Sequence, residues 1–239
     1  ENYPVMCWSQ NYNYPLNKII WTLFFAGNDF APDFLIEGMN ARDYLQTHYL
    51  EAQKQVALRI KHMTHVIGFD TLNEPGEGWV GRRMDDKHTE EAPDGPALPG
   101  LAFSPVEALY VSNGYSSVIP YLDFSLIKLK LAVKNLVTVN PSKQSLWLKG
   151  CKDPFQDAGA WKINENGEPE ILRNDFFCNV NGRKVVFNKD YLYPFFERVA
   201  ENIRTIRDDW LVFAEKPIFG DNNFYNKRLT GLSIERCIN

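Results

Sequence analysis

Between Asn40 and Gly81 the chain carries a pattern that few folds satisfy. A long amphipathic helix feeds, within a few residues, a short apolar strand that stops at Asn73-Glu74-Pro75. From Ala41 to Met63 the residues Leu45, Tyr49, Ala52, Val56, Ile60 and Met63 recur at steps of three and four, the period of one helix face, and Asn40 is placed to cap the first turn. Val66 to Leu72 is mostly apolar and too brief for a helix, so it reads as a buried parallel strand. Pro75 has no N–H to give to a ladder, so the strand ends there and presents a carboxylate at its C-terminal end. Parallel α/β sheets and barrels bind their ligands at that end.

Other segments extend the same reading. Ile19 to Ala26 is an apolar run, broken only by Thr22, that predicts a second buried strand, ending at Gly27-Asn28-Asp29, with Asp29 either facing a ligand or forming the turn beside Gly27. Strand, helix and strand within about fifty residues make one unit of a parallel sheet with a right-handed crossover. Asp190 to Arg207 is a second helix, with Tyr191, Phe195, Val199, Ile203 and Ile206 on one face and Pro194 in the first turn. Trp210 to Ala214 predicts a third strand, ending at Glu215-Lys216-Pro217. The first 18 residues, rich in Asn and Tyr and broken by Pro4 and Pro15, read as loop. Residues 82–120 read as an elaborated surface tract, and Ser125 to Val139 fits a strand pair or a helix equally.

A strand, then Asn-Glu-Pro, then a Gly- and Trp-containing loop resembles the acid/base motif of glycoside hydrolase family 5. The wider pattern is similar to its endoglycoceramidase-related branch, which includes glucosylceramide and steryl β-glucoside hydrolases. The resembling segments are Trp21 to Pro32, Gly68 to Gly81, Ser145 to Leu148, Gly159 to Phe177 and Val180 to Phe187, in family order over roughly residues 20 to 220. The resemblance implies part of a TIM (β/α)8 barrel: a single domain over 1–239, with an insertion at about 82–188 after the acid/base strand. It implies Glu74 as general acid/base and Asn73 as the partner of the sugar 2-hydroxyl and the nucleophile. Trp79, Trp147 and Trp161 become candidate walls of the substrate site, with buried packing the alternative reading for the last two.

Composition narrows the partners. The chain has 239 residues, is 44% hydrophobic and 23% charged, and carries a net charge of −4, which gives no basic patch to argue for nucleic acid or an anionic membrane surface. Aromatics at 14% suit a carbohydrate or lipid ligand as well as a packed core. His48, His62 and His65 lack a ligand motif, and Cys7, Cys151, Cys178 and Cys237 show no paired spacing. No metal, cofactor or disulfide framework is expected, and the cysteine usage leans toward an intracellular setting. No signal-like leader and no membrane-spanning window is legible in these residues.

Two strand-end glutamates, each followed closely by proline, look like the paired carboxylates of a retaining glycosidase. Glu215 is then a possible nucleophile. The family order argues for the alternative, a carboxylate on the barrel rim, because the nucleophile there follows a His-x-Tyr strand and sits in a Gly-Glu-x-Gly motif. The chain has no His after His88 and no such motif. Three strands, matching the third to fifth of the family, leave five unsupplied. Three readings compete: the central segment of a retaining hydrolase of glycolipid β-glucosides, inactive in isolation; a noncatalytic glycolipid-binding protein; and a structural subunit whose open barrel edges partner chains cover.

Overall fold

The computed structural model describes residues 8–87, 99–215 and 217. His88 and Cys7 and Cys237 lie outside the described residues. In chain order the helices are α1 (Pro15–Phe30), α2 (Ala41–Ile60), α3 (Pro105–Ser112), α4 (Pro154–Asp157) and α5 (Tyr193–Arg204). The strands are β1 (Leu35–Ile36), β2 (Met39–Asn40), β3 (Gly68–Asp70), β4 (Gly100–Leu101), β5 (Ser117–Ser125), β6 (Lys130–Val139), β7 (Trp161–Ile163), β8 (Pro169–Ile171), β9 (Asn179–Val180), β10 (Arg183–Lys184) and β11 (Leu211–Phe213).

The apolar run at Ile19 to Ala26 is helical, which corrects the strand reading. Its buried residues include Ile19, Thr22, Leu23, Ala26 and Phe30, so a helix face was present inside an apolar run dense enough to conceal it. Pro15 opens the helix, where its missing N–H costs no hydrogen bond. The segment before it, Trp8–Asn13, forms a 3-10 turn rather than plain loop. The strand count of three therefore falls to a parallel pair among the described residues.

That pair is β3 and β11, with Leu211 opposite Gly68, Val212 opposite Phe69 and Phe213 opposite Asp70. Gly68 is required by the approach, since a Cβ there would stand 2.0 Å from the Leu211 carbonyl oxygen. The ladder extends through Leu211 N–H to the Ile67 carbonyl and Thr71 N–H to the Phe213 carbonyl.

Each strand is fed by a helix. Asn40 caps α2 by accepting from the Arg42 N–H, as the sequence predicts. The buried face of α2 is less apolar than expected: Val56 is exposed, while Gln46 is buried and donates to the Phe24 carbonyl at 2.7 Å. Tyr49 donates from its hydroxyl to the Thr71 carbonyl at 2.7 Å, which fixes α2 to the end of β3. A π-helical turn at Asn188–Leu192 leads into α5, whose Phe195, Phe196, Val199, Ala200 and Ile203 are buried. Phe24, Phe25 and Tyr49 meet Phe195 with ring centroids 5.2 to 5.7 Å apart, joining α1, α2 and α5 into one core.

Between β3 and α5 lies the elaborated tract. It includes α3, closed by a capping box in which Ser104 and Glu107 satisfy each other's backbone N–H groups. Residues 125–139 resolve as strand: β5 and β6 form a long antiparallel hairpin, paired from Ser117–Val139 to Ser125–Lys130, with β4 added at the β5 edge.

Candidate active site

Glu74 sits four residues beyond the end of β3, on a backbone with φ of 49°. A non-glycine residue in the left-handed region costs about 1–2 kcal/mol, so its surroundings must hold it there. Two contacts do so. The Glu74 N–H donates to Glu215 Oε2 at 2.8 Å, and the Tyr12 hydroxyl donates to the Glu74 carbonyl at 2.8 Å. Glu215 reaches Glu74 because β11 lies directly beside β3 in parallel register. The peptide of Glu74 is thus clamped from both sides, while its side chain is left half-exposed and Asn73 exposed.

The loop after Pro75 is pinned against α1. A Cβ on Gly76 would come within 2.7 Å of the Trp21 indole, and one on Gly78 within 2.4 Å of Thr22 Oγ1, with Gly78 also at φ of 63°. Thr22 Oγ1 donates to the Lys18 carbonyl and accepts from the Trp79 N–H at 2.9 Å, so one hydroxyl ties the helix to the loop.

A small field of negative charge surrounds the strand ends. Partial burial and the neighbouring Glu215 raise the Asp70 carboxyl above its ordinary range. Burial, then Glu74 and Glu215, push the Tyr12 phenol upward. Sequence reading missed both groups. Asp70 had a legible signal, standing on the strand four residues before Glu74, whereas Tyr12 had none, since its contact spans 62 positions.

Beside the loop lies a solvent-open cleft of about 480 Å³, lined among others by Asn13, Lys18, Trp79, Arg82, Asp86 and Phe103. Arg82 approaches Glu77 at 3.6 Å and Asp86 at 3.9 Å. Burial first, and Arg82 second, bring the Lys18 amine down to about 8.

The remaining predicted residues are placed elsewhere. Asp29 lies in the last turn of α1, not past a strand end, and accepts from the Tyr191 hydroxyl at 2.8 Å. Trp161 is wholly buried and donates to Asp153 at 3.1 Å, and Trp79 is almost wholly buried against Phe155 and Phe177. Core packing accounts for Trp161, while Trp79 packs in the core and also borders the cleft. Trp147 is half-buried on Phe34, with an indole N–H that has no hydrogen-bond partner among the described residues. No group of three or more His, Cys, Asp or Glu among the described residues could hold a metal ion, and no described helix is long and apolar enough to cross a membrane.

The chain resembles known proteins in sequence and in fold. The chain is 24% identical over 230 residues to a glucosylceramidase of Rhizopus delemar, covering 92% of this chain and 33% of the relative. It is 22% identical over 245 residues to an ergosteryl-beta-glucosidase of Saccharomyces cerevisiae, covering 91% and 31%. A crystal structure of Cryptococcus neoformans sterylglucosidase 1 superimposes with a TM-score of 0.79 at 25% identity, covering 90% of this chain and 33% of that one. The chain is similar to the glucosylceramidases and sterylglucosidases. No family model matches it. The chain spans about a third of the length of the curated relatives it matches.

Proposed function

We propose that this chain is the central part of a (β/α)8 barrel of a retaining β-glycosidase for glycolipid β-glucosides, a single domain with an insertion over about 82–188. The observation that carries the reading is the Asn73-Glu74-Pro75 turn at the C-terminal end of β3, with its peptide clamped by Glu215 and Tyr12. Relatives named glucosylceramidase and ergosteryl-beta-glucosidase support this substrate class.

In this mechanism Glu74 is the general acid. It gives its proton to the glycosidic oxygen as the bond to the anomeric carbon breaks, and a carboxylate from across the barrel takes that carbon as a covalent ester. Glu74 then removes a proton from the water that hydrolyses the ester. Asn73 donates to the sugar 2-hydroxyl. Glu215 acts through the Glu74 backbone as a positioning residue, because its carboxylate oxygen is already engaged by the Glu74 N–H. Turnover of a fluorogenic β-glucoside by a longer polypeptide that closes the barrel around this segment tests the reading. Full activity in its Glu74→Gln variant would end it.

A further inference from the structure

The outer half of the β5–β6 hairpin has no role in the site described above. Ile119 and Leu122 anchor the inner half of β5 in the body. From Asp123 to Lys152 no residue is buried. Leu126, Ile127 and Leu129 at the turn are 81%, 97% and 75% exposed, and Phe124 and Val133 beside them are at least half exposed. These residues are not on a loose loop, since the ladder stays paired up to Ser125 and Lys130 at the turn itself.

The charge over the same stretch is one-sided. Between 124 and 152 the chain has lysines at 128, 130, 134, 143, 149 and 152, all exposed, and no Asp or Glu, within a chain whose net charge is −4. The nearest acid, Asp123, pairs with Lys134 at 2.5 Å. At the turn, lysine alternates with the large apolar residues: Leu126, Ile127, Lys128, Leu129, Lys130.

We propose that the β5–β6 hairpin tip docks on the surface of an anionic lipid bilayer. Leu126, Ile127 and Leu129 enter the boundary between headgroups and acyl chains, while Lys128 and Lys130 lie along it and keep their ammonium groups among the phosphates. A protein partner is the poorer match, because sealing this turn in a protein interface strips water from both lysines and demands a carboxylate for each. The inference goes beyond the catalytic reading and does not rest on it. It requires only the hairpin, and the probe contains no glucoside.

The test is flotation of the 239-residue chain with vesicles of phosphatidylcholine containing about 30% phosphatidylserine, which separates bound protein from aggregates. Wild type is expected to float with the vesicles at low salt and to be released as salt rises. Leu126→Glu with Ile127→Glu should reduce the floated fraction at least tenfold, and Lys128→Ser and Lys130→Ser about fivefold each. All four side chains are exposed, so unchanged circular dichroism and melting should accompany the loss. Failure of wild type to float, or undiminished flotation of the double glutamate variant, would overturn the proposal. A wild-type dimer that the double variant dissolves, with vesicle binding unaltered, would instead assign the tip to a second copy of the chain.

Discussion

At the scale of residues, the arrangement around Glu74 separates two glutamates that the sequence makes look alike. Glu74 has a free side chain on a strained, clamped backbone, whereas Glu215 has a committed carboxylate. In a longer polypeptide that closes the barrel, Glu74→Gln should lower turnover of a natural glycolipid by about 10² to 10⁴-fold. Substrates with good leaving groups should lose much less in the glycosylation step, because they need little proton assistance. Glu215→Gln keeps an acceptor oxygen for the Glu74 N–H and should retain most activity, while Glu215→Ala leaves that N–H without its partner and should cost more in kcat than in KM. Steady-state kinetics on both variants checks the order. Lys18 makes a separate prediction. Its folded-state pKa of about 8 lies below the ordinary 10.5, so the folded chain holds fewer protons between those values and stability should rise with pH across that window. Below pH 8 the buried ammonium is a cost. Lys18→Met should therefore stabilise the protein at pH 7 by about 1 kcal/mol, a figure reduced for the side chain's partial exposure, and flatten the rise measured by urea unfolding at pH 7 and 9.5.

At the scale of elements, what was legible followed from periodicity and punctuation. The α2 helix with its Asn40 cap and the α5 helix with Pro194 in its first turn are each set by local chemistry, whereas β3 stops at Asp70, five residues before the proline expected to end it. The α1 helix was misread because Ile19 to Ala26 is apolar at every position except Thr22, which leaves no polar phase to reveal a period of 3.6 over 2. That error carried Asp29 into the candidate site, since its place depended on a strand ending there. Residue type does not say whether an indole faces a ligand or a core; here Trp161 is buried against Asp153, the packing alternative, while Trp79 packs on Phe155 and Phe177 and also borders the cleft. The junction of α1 with the loop after Pro75 depends on long-range contact that no local signal reports. It can be tested at Gly78, where a side chain meets both a positive φ and the Thr22 hydroxyl and backbone. Gly78→Ala should destabilise the chain by about 2–4 kcal/mol in urea unfolding, the sum expected for a strained backbone and an overpacked contact. Gly81→Ala, also at positive φ but with no atom within 4 Å, should cost about 1 kcal/mol from the backbone alone.

At the scale of the whole molecule, the parallel pairing of β3 and β11 decides what these residues do unaided. Retaining hydrolysis needs two carboxyl groups about 5 Å apart, one near the leaving oxygen and one below the anomeric carbon, so that a sugar ring lies between them. Glu74 and Glu215 come from neighbouring strands, whose axes are about 4.8 Å apart, and Glu215 binds the Glu74 peptide directly. The 2.8 Å hydrogen bond commits one Glu215 oxygen to the Glu74 backbone, which supports the proposal that Glu215 positions Glu74 and that the nucleophile lies elsewhere. The 239 residues, assayed by themselves, should bind glucoside weakly if at all and show no glucosidase turnover above background. Stopped-time assays with a fluorogenic β-glucoside at high protein concentration measure this directly. A monodisperse chain that turned the substrate over, lost that activity in Glu215→Gln and regained it with azide would show Glu215 to be the nucleophile after all. The same result would require the Glu74–Glu215 hydrogen bond to open on substrate binding, by a separation of β3 and β11 that hydrogen exchange at Thr71 and Leu211 would detect.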